Sequence, residues 1–252
     1  MNKLIITLIL SFNFIFVSGQ GVNKKYQKVI SGFIECIKSQ NKEKLSRMIS
    51  FPLNREYPIP QIKNKQDFFN RYTEIFDAGL IKLIVTSNPA KDWSTMGKSG
   101  LMLLDGQVWL NLEGILLAVN YQSKHEKSKT EELIEAEKSQ LHVSMRDFRR
   151  PVCQLETSSY RIRIDELGEG KFRYASWPVH SKMSDQPETM IKKGKMVIDG
   201  SSGNRSYVFK KGNQVYTCTI IVMVERKSSP ALLTVYKGDT EILSQKAIII
   251  RK

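Results

Sequence analysis

Apolar positions recur at helical spacing in the first third of the chain and alternate at strand spacing in the last. Tyr26, Val29, Ile30, Phe33 and Ile37 fall three or four residues apart, with Lys25, Lys28, Glu35 and Lys38 between them, which predicts a helix over 23–39. Asn41 opens a second, short helix carrying Leu45, Met48 and Ile49. It must end before Pro52, because proline disfavours the helical conformation of the residue ahead of it. Pro52, Pro58 and Pro60 then hold an extended connection. Asn64 reads as the N-cap of a third helix, with Asp67 in the first turn, where a carboxylate meets the positive end of the helix dipole. Phe68, Phe69, Tyr72, Ile75 and Phe76 form its buried face, and Gly79 is expected to stop it. The pattern then turns to strands, one over 83–86 and a meander over 101–104, 107–112 and 115–121. Its turns are Asp105-Gly106 and Glu113-Gly114; Asp-Gly between apolar runs favours a tight hairpin, whose central residues need positive φ.

Residues 122–130 are polar and rich in Lys and Ser, which predicts a linker. A helix is expected over 130–146, with a narrow stripe of Leu133, Ile134, Leu141 and Met145 suited to lying on a surface or bridging two domains. Beyond Pro151 the pattern is β throughout, with strands expected at 157–165, 171–177, 196–199, 206–210, 214–225, 232–236 and 241–250. Gly168-Glu169-Gly170, Gly200 to Asn204, Gly212-Asn213 and Gly238-Asp239 separate them as turns, and short strands so spaced predict a sandwich. The expected fold class is α+β: cone-like helices on an antiparallel sheet over 20–121, a charged linker and helix over 122–148, and an all-β sandwich-like domain over 149–252.

The amino terminus changes the setting. Lys3, an apolar run over 4–17 and the small residues Ser18 and Gly19 describe a secretory leader over 1–19, cleaved before Gln20. The run is shorter than the roughly 20 residues of a membrane span, and no later apolar stretch approaches that length, so no transmembrane segment is expected. The protein is expected to be exported, periplasmic or extracellular. A net charge of +14, spread along the chain with the larger excess after residue 121, suits a soluble basic surface or, as the alternative, an anionic partner. Export argues against nucleic acid, so an envelope protein or an acidic polymer is the expected partner. Of three cysteines, Cys36 lies at the edge of an apolar stripe and reads as core. Cys153 and Cys218 are a candidate disulfide, with a buried thiol at each as the alternative.

The segments Ile49-Ser50-Phe51-Pro52-Leu53, Phe68-Phe69-x-x-Tyr72 and Gly106-Gln107-Val108-Trp109, with the three early helices, carry a resemblance. The stretch 26–121 resembles the nuclear-transport-factor-2-like superfamily, in the version found in exported bacterial proteins. Arg161-Ile162-Arg163-Ile164-Asp165, Arg173-Tyr174-Ala175-Ser176-Trp177 and Gly200-Ser201-Ser202-Gly203 are similar to the carboxy-terminal halves of such proteins. The resemblance implies a cone whose interior, in enzymes, holds a proton-transferring acid or base. Here the expected cone strands are apolar apart from Gln107, Asn111 and Asn120. Asp92, beside Trp93, is the one carboxylate near the expected mouth and the sole acid–base candidate; a solvated loop carboxylate is the alternative.

Other chemistry lacks its residues. His125 and His142 stand too far apart for a metal pair, His180 has no nucleophile elbow beside it, and no Cys-x-x-Cys occurs. No cofactor or metal is expected. The best binding candidate is the 160–177 hairpin, where strand alternation sets Arg161, Arg163 and Asp165 on one face, joined by Arg173 and flanked by Trp177. Guanidinium groups beside an aromatic ring suit carboxylates, phosphates or sugars; a charged outer sheet face is the alternative. The expected function is an exported, non-catalytic binding or interaction protein of the bacterial envelope, and the alternative is an isomerase, dehydratase or hydrolase using the cone pocket.

Overall fold

Asparagines start the first three helices where the pattern places them. The computed structural model describes residues 22–199, 204–221 and 229–251; the leader and its cleavage site lie outside these, as do the 200–203 turn and the end of the 214–225 strand. Helix α1 (Lys24–Lys38) begins where Asn23 Oδ1 accepts the Lys25 N–H at 2.9 Å. Helix α2 (Lys42–Arg47) is capped by Asn41, accepting from Lys44 at 2.8 Å, and α3 (Lys65–Ile75) by Asn64, accepting from Asp67 at 3.0 Å. Each cap satisfies an N–H that the helix itself leaves unpaired.

The expected strand at 83–86 is instead the end of a fourth helix. Asp77 accepts the Leu80 N–H at 2.8 Å and opens α4 (Ala78–Val85), whose Leu80 and Ile84 are fully buried. Gly79 does not stop α3; it sits in the first turn of α4, where a Cβ would lie 2.4 Å from the Tyr121 hydroxyl oxygen. A β-branched run favours strand locally, but the cap and the buried face of α4 decide otherwise. Strands β1 (Trp93–Thr95), β2 (Leu101–Leu103), β3 (Val108–Leu110) and β4 (Leu116–Val119) form an antiparallel sheet in sequence order. Phe33, Phe68, Phe76 and Leu80 pack with Leu101, Leu103, Val108 and Leu110 in one core. The strands have only three or four residues, so this is a small sheet under helices and not the expected cone.

The sandwich is also overturned. Strands β5 (Arg150–Glu156), β6 (Tyr160–Gly168), β7 (Lys171–Pro178), β8 (Thr189–Asp199), β9 (Asn204–Lys211), β10 (Gln214–Ile220), β11 (Ala231–Lys237) and β12 (Thr240–Arg251) pair each with the next, and β12 pairs with β5. The chain is therefore mostly β, built around a closed up-and-down antiparallel barrel. Seven of its strands match the sequence pattern; the eighth, β5, hides behind Pro151, which sits where the β5–β6 register shifts. That strand bonds to β6 on one side and to β12 on the other, turning a meander with two open edges into a ring with none. Gly194 is required at the β8 corner, because a Cβ there would lie 2.1 Å from a Phe209 ring carbon.

Leu155, Ile162, Ile164, Tyr174, Phe209 and Leu233 fill the barrel, as the narrow bore of eight strands allows. The register turns Lys195, Lys210, Thr217 and Lys246 outward. Apolar inside with lysines outside is the reverse of a lipid-facing barrel. No described helix is long and apolar enough to cross a membrane.

The expected linker is the first turns of helix α5 (Lys124–Gln140). The Ser123 hydroxyl accepts the Glu126 N–H at 3.0 Å and donates to the Glu74 carbonyl. Glu126 is buried against Arg55, whose Nε donates to its Oε1 at 2.6 Å; Arg55 also donates to the carbonyls of Val119 and Tyr121. A buried ion pair so fully hydrogen-bonded ties α5 to the amino-terminal unit.

No disulfide joins Cys153 to Cys218; both are buried thiols inside the barrel, as Cys36 is inside the helical core. Burial pushes the Cys218 thiol well up, and the neighbouring Cys153 adds to it. The thiolate is the reactive form, so all three thiols should resist a water-soluble disulfide reagent in the native protein and react once urea unfolds it. Rapid native labelling of Cys218 would contradict this packing.

Candidate functional site

The β6–β7 hairpin puts Arg161, Arg163, Asp165 and Arg173 on its outer face, with Asp165 opposite Arg173 and Arg163 opposite Ala175. That face is covered. Arg163 and Arg173 are each 1% exposed and Asp165 0%. Arg163 Nε donates to Asp165 Oδ1 at 2.7 Å and Arg173 Nη2 to Asp165 Oδ2 at 2.6 Å. Arg173 also donates to the carbonyls of Met145 at 2.7 Å and Asp147 at 3.1 Å. Arg163 Nη1 donates to Glu137 Oε2 of α5 at 2.9 Å, and the other oxygen of that carboxylate accepts from the Tyr57 hydroxyl and from Arg251. Among the described residues Arg163 Nη2 and Arg173 Nε find no acceptor; the Phe148 ring lies against both guanidinium groups, its centre 4.9 and 5.7 Å from their carbons.

Burial pushes the Asp165 carboxyl up, and the two guanidinium groups on its oxygens pull it back. Arginine does not surrender its proton, so two charge-assisted bonds keep Asp165 ionised at neutral pH. Burial and the Glu137 carboxylate push the Tyr57 phenol well up, leaving it a hydrogen-bond donor. Trp177 is fully buried beside Ile134, Leu141 and Met145, and its Nε1 donates to the Asp185 carbonyl at 2.8 Å. The expected binding face is thus a clamp holding α5 and Tyr57 to the barrel wall. Only Arg161 of the three arginines reaches solvent, and its Nη1 donates to the Ser181 carbonyl at 2.9 Å. Strand alternation shows which residues share a face, not what lies over it.

Asp92 accepts the Asn88 N–H at 2.6 Å and closes a local turn. His125 lines a polar recess of about 380 Å³ in which Arg71 pairs with Glu74 at 2.7 Å. Among the described residues no group of three or more His, Cys, Asp or Glu side chains could hold a metal ion.

A larger cleft, about 680 Å³, opens at the barrel end where β5 begins and β8 and β10 finish. Asn54, Tyr57, Ala118 and Asn120 of the amino-terminal unit face Phe172, Tyr207 and Ile220 of the barrel across it. At its rim Ile198 is 62% exposed and Met196 40%. Most of its polar groups are committed. Arg150 donates to Glu56 at 2.6 Å and to Glu166, and Gln122 donates to the second Glu56 oxygen at 2.7 Å. Arg205 is the exception: it is exposed at the rim and meets no carboxylate among the described residues. Deeper in, the Tyr207 ring lies edge-on to Phe172 at 5.1 Å. Burial, then Cys153, push its phenol up to about 12 against the pull of Arg205 and Arg150, so at neutral pH it is a protonated donor. Sequence reasoning missed this site, although a signal exists. Arg205 stands in phase with Tyr207 and Phe209, an arginine on the inward side of a strand.

No family model matches the chain, and neither does any curated protein or solved structure. The chemistry of the site therefore carries the functional reading.

Proposed function

We propose that the protein is a non-catalytic binding protein that takes a small molecule in the cleft at the barrel mouth. The observation that carries this is the cleft itself, about 680 Å³ between the barrel and the amino-terminal unit, where Ala118, Val152, Phe172, Met196, Ile198 and Ile220 share the lining with polar side chains, most of them already paired. Barrel mouths and domain junctions are where such sites occur. The barrel bore is filled, so the ligand lies across the mouth and not within it. Glu56, the one carboxylate among the described residues of the wall, is occupied by Arg150 and Gln122, which leaves no evident general base among them. The leader-like residues 1–19 support an exported protein that meets its ligand in the bacterial envelope or beyond.

N-phenyl-1-naphthylamine, an uncharged dye that brightens in apolar surroundings, tests the cleft directly. Its fluorescence should rise saturably with the purified protein. Ala118→Trp, which fills the cleft from the β4 side, should weaken binding about tenfold or more, a change of roughly 1.4 kcal/mol. Equal affinity in this variant would place the dye elsewhere and remove the cleft as the site.

A further inference from the structure

Among the described residues lining the barrel mouth, every charge but one is paired. Arg55 is matched by Glu126, and Arg149 and Arg150 are matched by Glu56 and Glu166. Arg205 is left over, the one cation lining the cleft without a carboxylate among the described residues. Beside it, Tyr207 is 4% exposed, lines the same cleft and stays a protonated phenol. One positive charge without a carboxylate next to a neutral phenol matches a headgroup bearing a single negative charge. A phosphate dianion calls for a cluster of cations, and the other arginines here are already paired.

The surroundings define the rest of the molecule. Phe172 and Ile220 line the deep wall next to Tyr207, and Met196 and Ile198 continue the apolar surface to the rim, where they stand exposed. From this arrangement we infer that the ligand is an amphipathic monocarboxylate. Its carboxylate lies between Arg205 and the Tyr207 hydroxyl, and its apolar body covers Ile220, Met196 and Ile198. This rests on the reading of the cleft as the binding site and adds the class of ligand.

Displacement of N-phenyl-1-naphthylamine by decanoate, decanol and decyl phosphate at pH 8 separates the two. Decanoate should compete about tenfold or more better than decanol, the scale of one charge-assisted hydrogen bond, and better than decyl phosphate. Arg205→Gln should erase the advantage of decanoate over decanol. Tyr207→Phe should reduce it in part. If the dye binds in the cleft and decanol displaces it as well as decanoate does, the ligand class falls and the binding site stands. Decyl phosphate outcompeting decanoate would overturn the single-charge argument, and an undiminished preference for decanoate in Arg205→Gln would overturn the role of that residue. If the dye does not bind, or binds equally to Ala118→Trp, the site falls and the ligand class with it.

Discussion

Asp165→Asn should lower the unfolding free energy by about 3–5 kcal/mol, the cost of removing one partner from a buried ion cluster. In the native protein the carboxylate lies between Arg163 and Arg173, bonded to each at 2.7 and 2.6 Å, and all three side chains are sealed from water. An amide keeps the shape but removes the charge, and one end of it presents N–H groups to a guanidinium that can only donate. Arg163 retains Glu137, whereas Arg173 is left with only the Met145 and Asp147 carbonyls. Urea unfolding followed by tryptophan fluorescence measures the loss, with Trp177 reporting from the same face. Replacing the cluster together, as Arg163→Met, Asp165→Leu and Arg173→Met, should recover much of the stability, because packed apolar groups avoid the desolvation cost. A change below about 1 kcal/mol in Asp165→Asn would mean that water reaches the cluster and that it does not hold α5.

Trp177→Ala should cost a comparable 3–5 kcal/mol, roughly the range for deleting a large buried ring, and should loosen α5. The indole is fully buried against Ile134 and Leu141, and its N–H is bonded to the Asp185 carbonyl, so truncation leaves both a cavity and an unpaired acceptor. Trypsin, which spares helices packed on a core, should then cut among Lys124, Lys127, Lys129 and Lys138 in the variant and not in the native protein. Trp177 lies at the far end of β7 from the cleft, where Phe172 sits, so the folded variant should bind N-phenyl-1-naphthylamine unchanged. Lost dye binding with intact stability would make Trp177 a binding residue after all. Cutting of the native protein within α5 would show that the segment is the loose linker its composition suggests.

The errors of sequence reading share a cause. Lys and Ser dominate residues 122–130, and that composition suits a linker as well as the solvent side of a helix. Glu126 decides between them by reaching Arg55, and nothing local announces a partner in another loop. Arg163 and Arg173 look like a charged surface because charged side chains are seldom buried. Glu137, Phe148 and the Met145 carbonyl, brought over them by α5 and the segment that follows, make the burial tolerable. Beyond the inward phase of Arg205 the cleft left no trace in the sequence, for the same reason: its two walls come from 54–57 and 118–122 on one side and from the barrel strands on the other.

What the sequence determined by itself is local. Asn23, Asn41 and Asn64 start their helices because a cap bonds to an N–H two or three residues ahead. Alternation assigned Ile162 and Ile164 to one side of β6 and Arg163 and Asp165 to the other, because successive side chains on a strand must point apart. The tertiary structure alone decided whether the strands would stack as two sheets or close as a ring. That choice lies in the pairing of Ile248 and Ile249 with Glu156 and Leu155. Backbone N–H and C=O groups are the same in every residue, so a strand's own sequence says that it must pair and not with which distant strand. The energy that settles the partner is the burial of a shared interior, which exists only once the ring has closed.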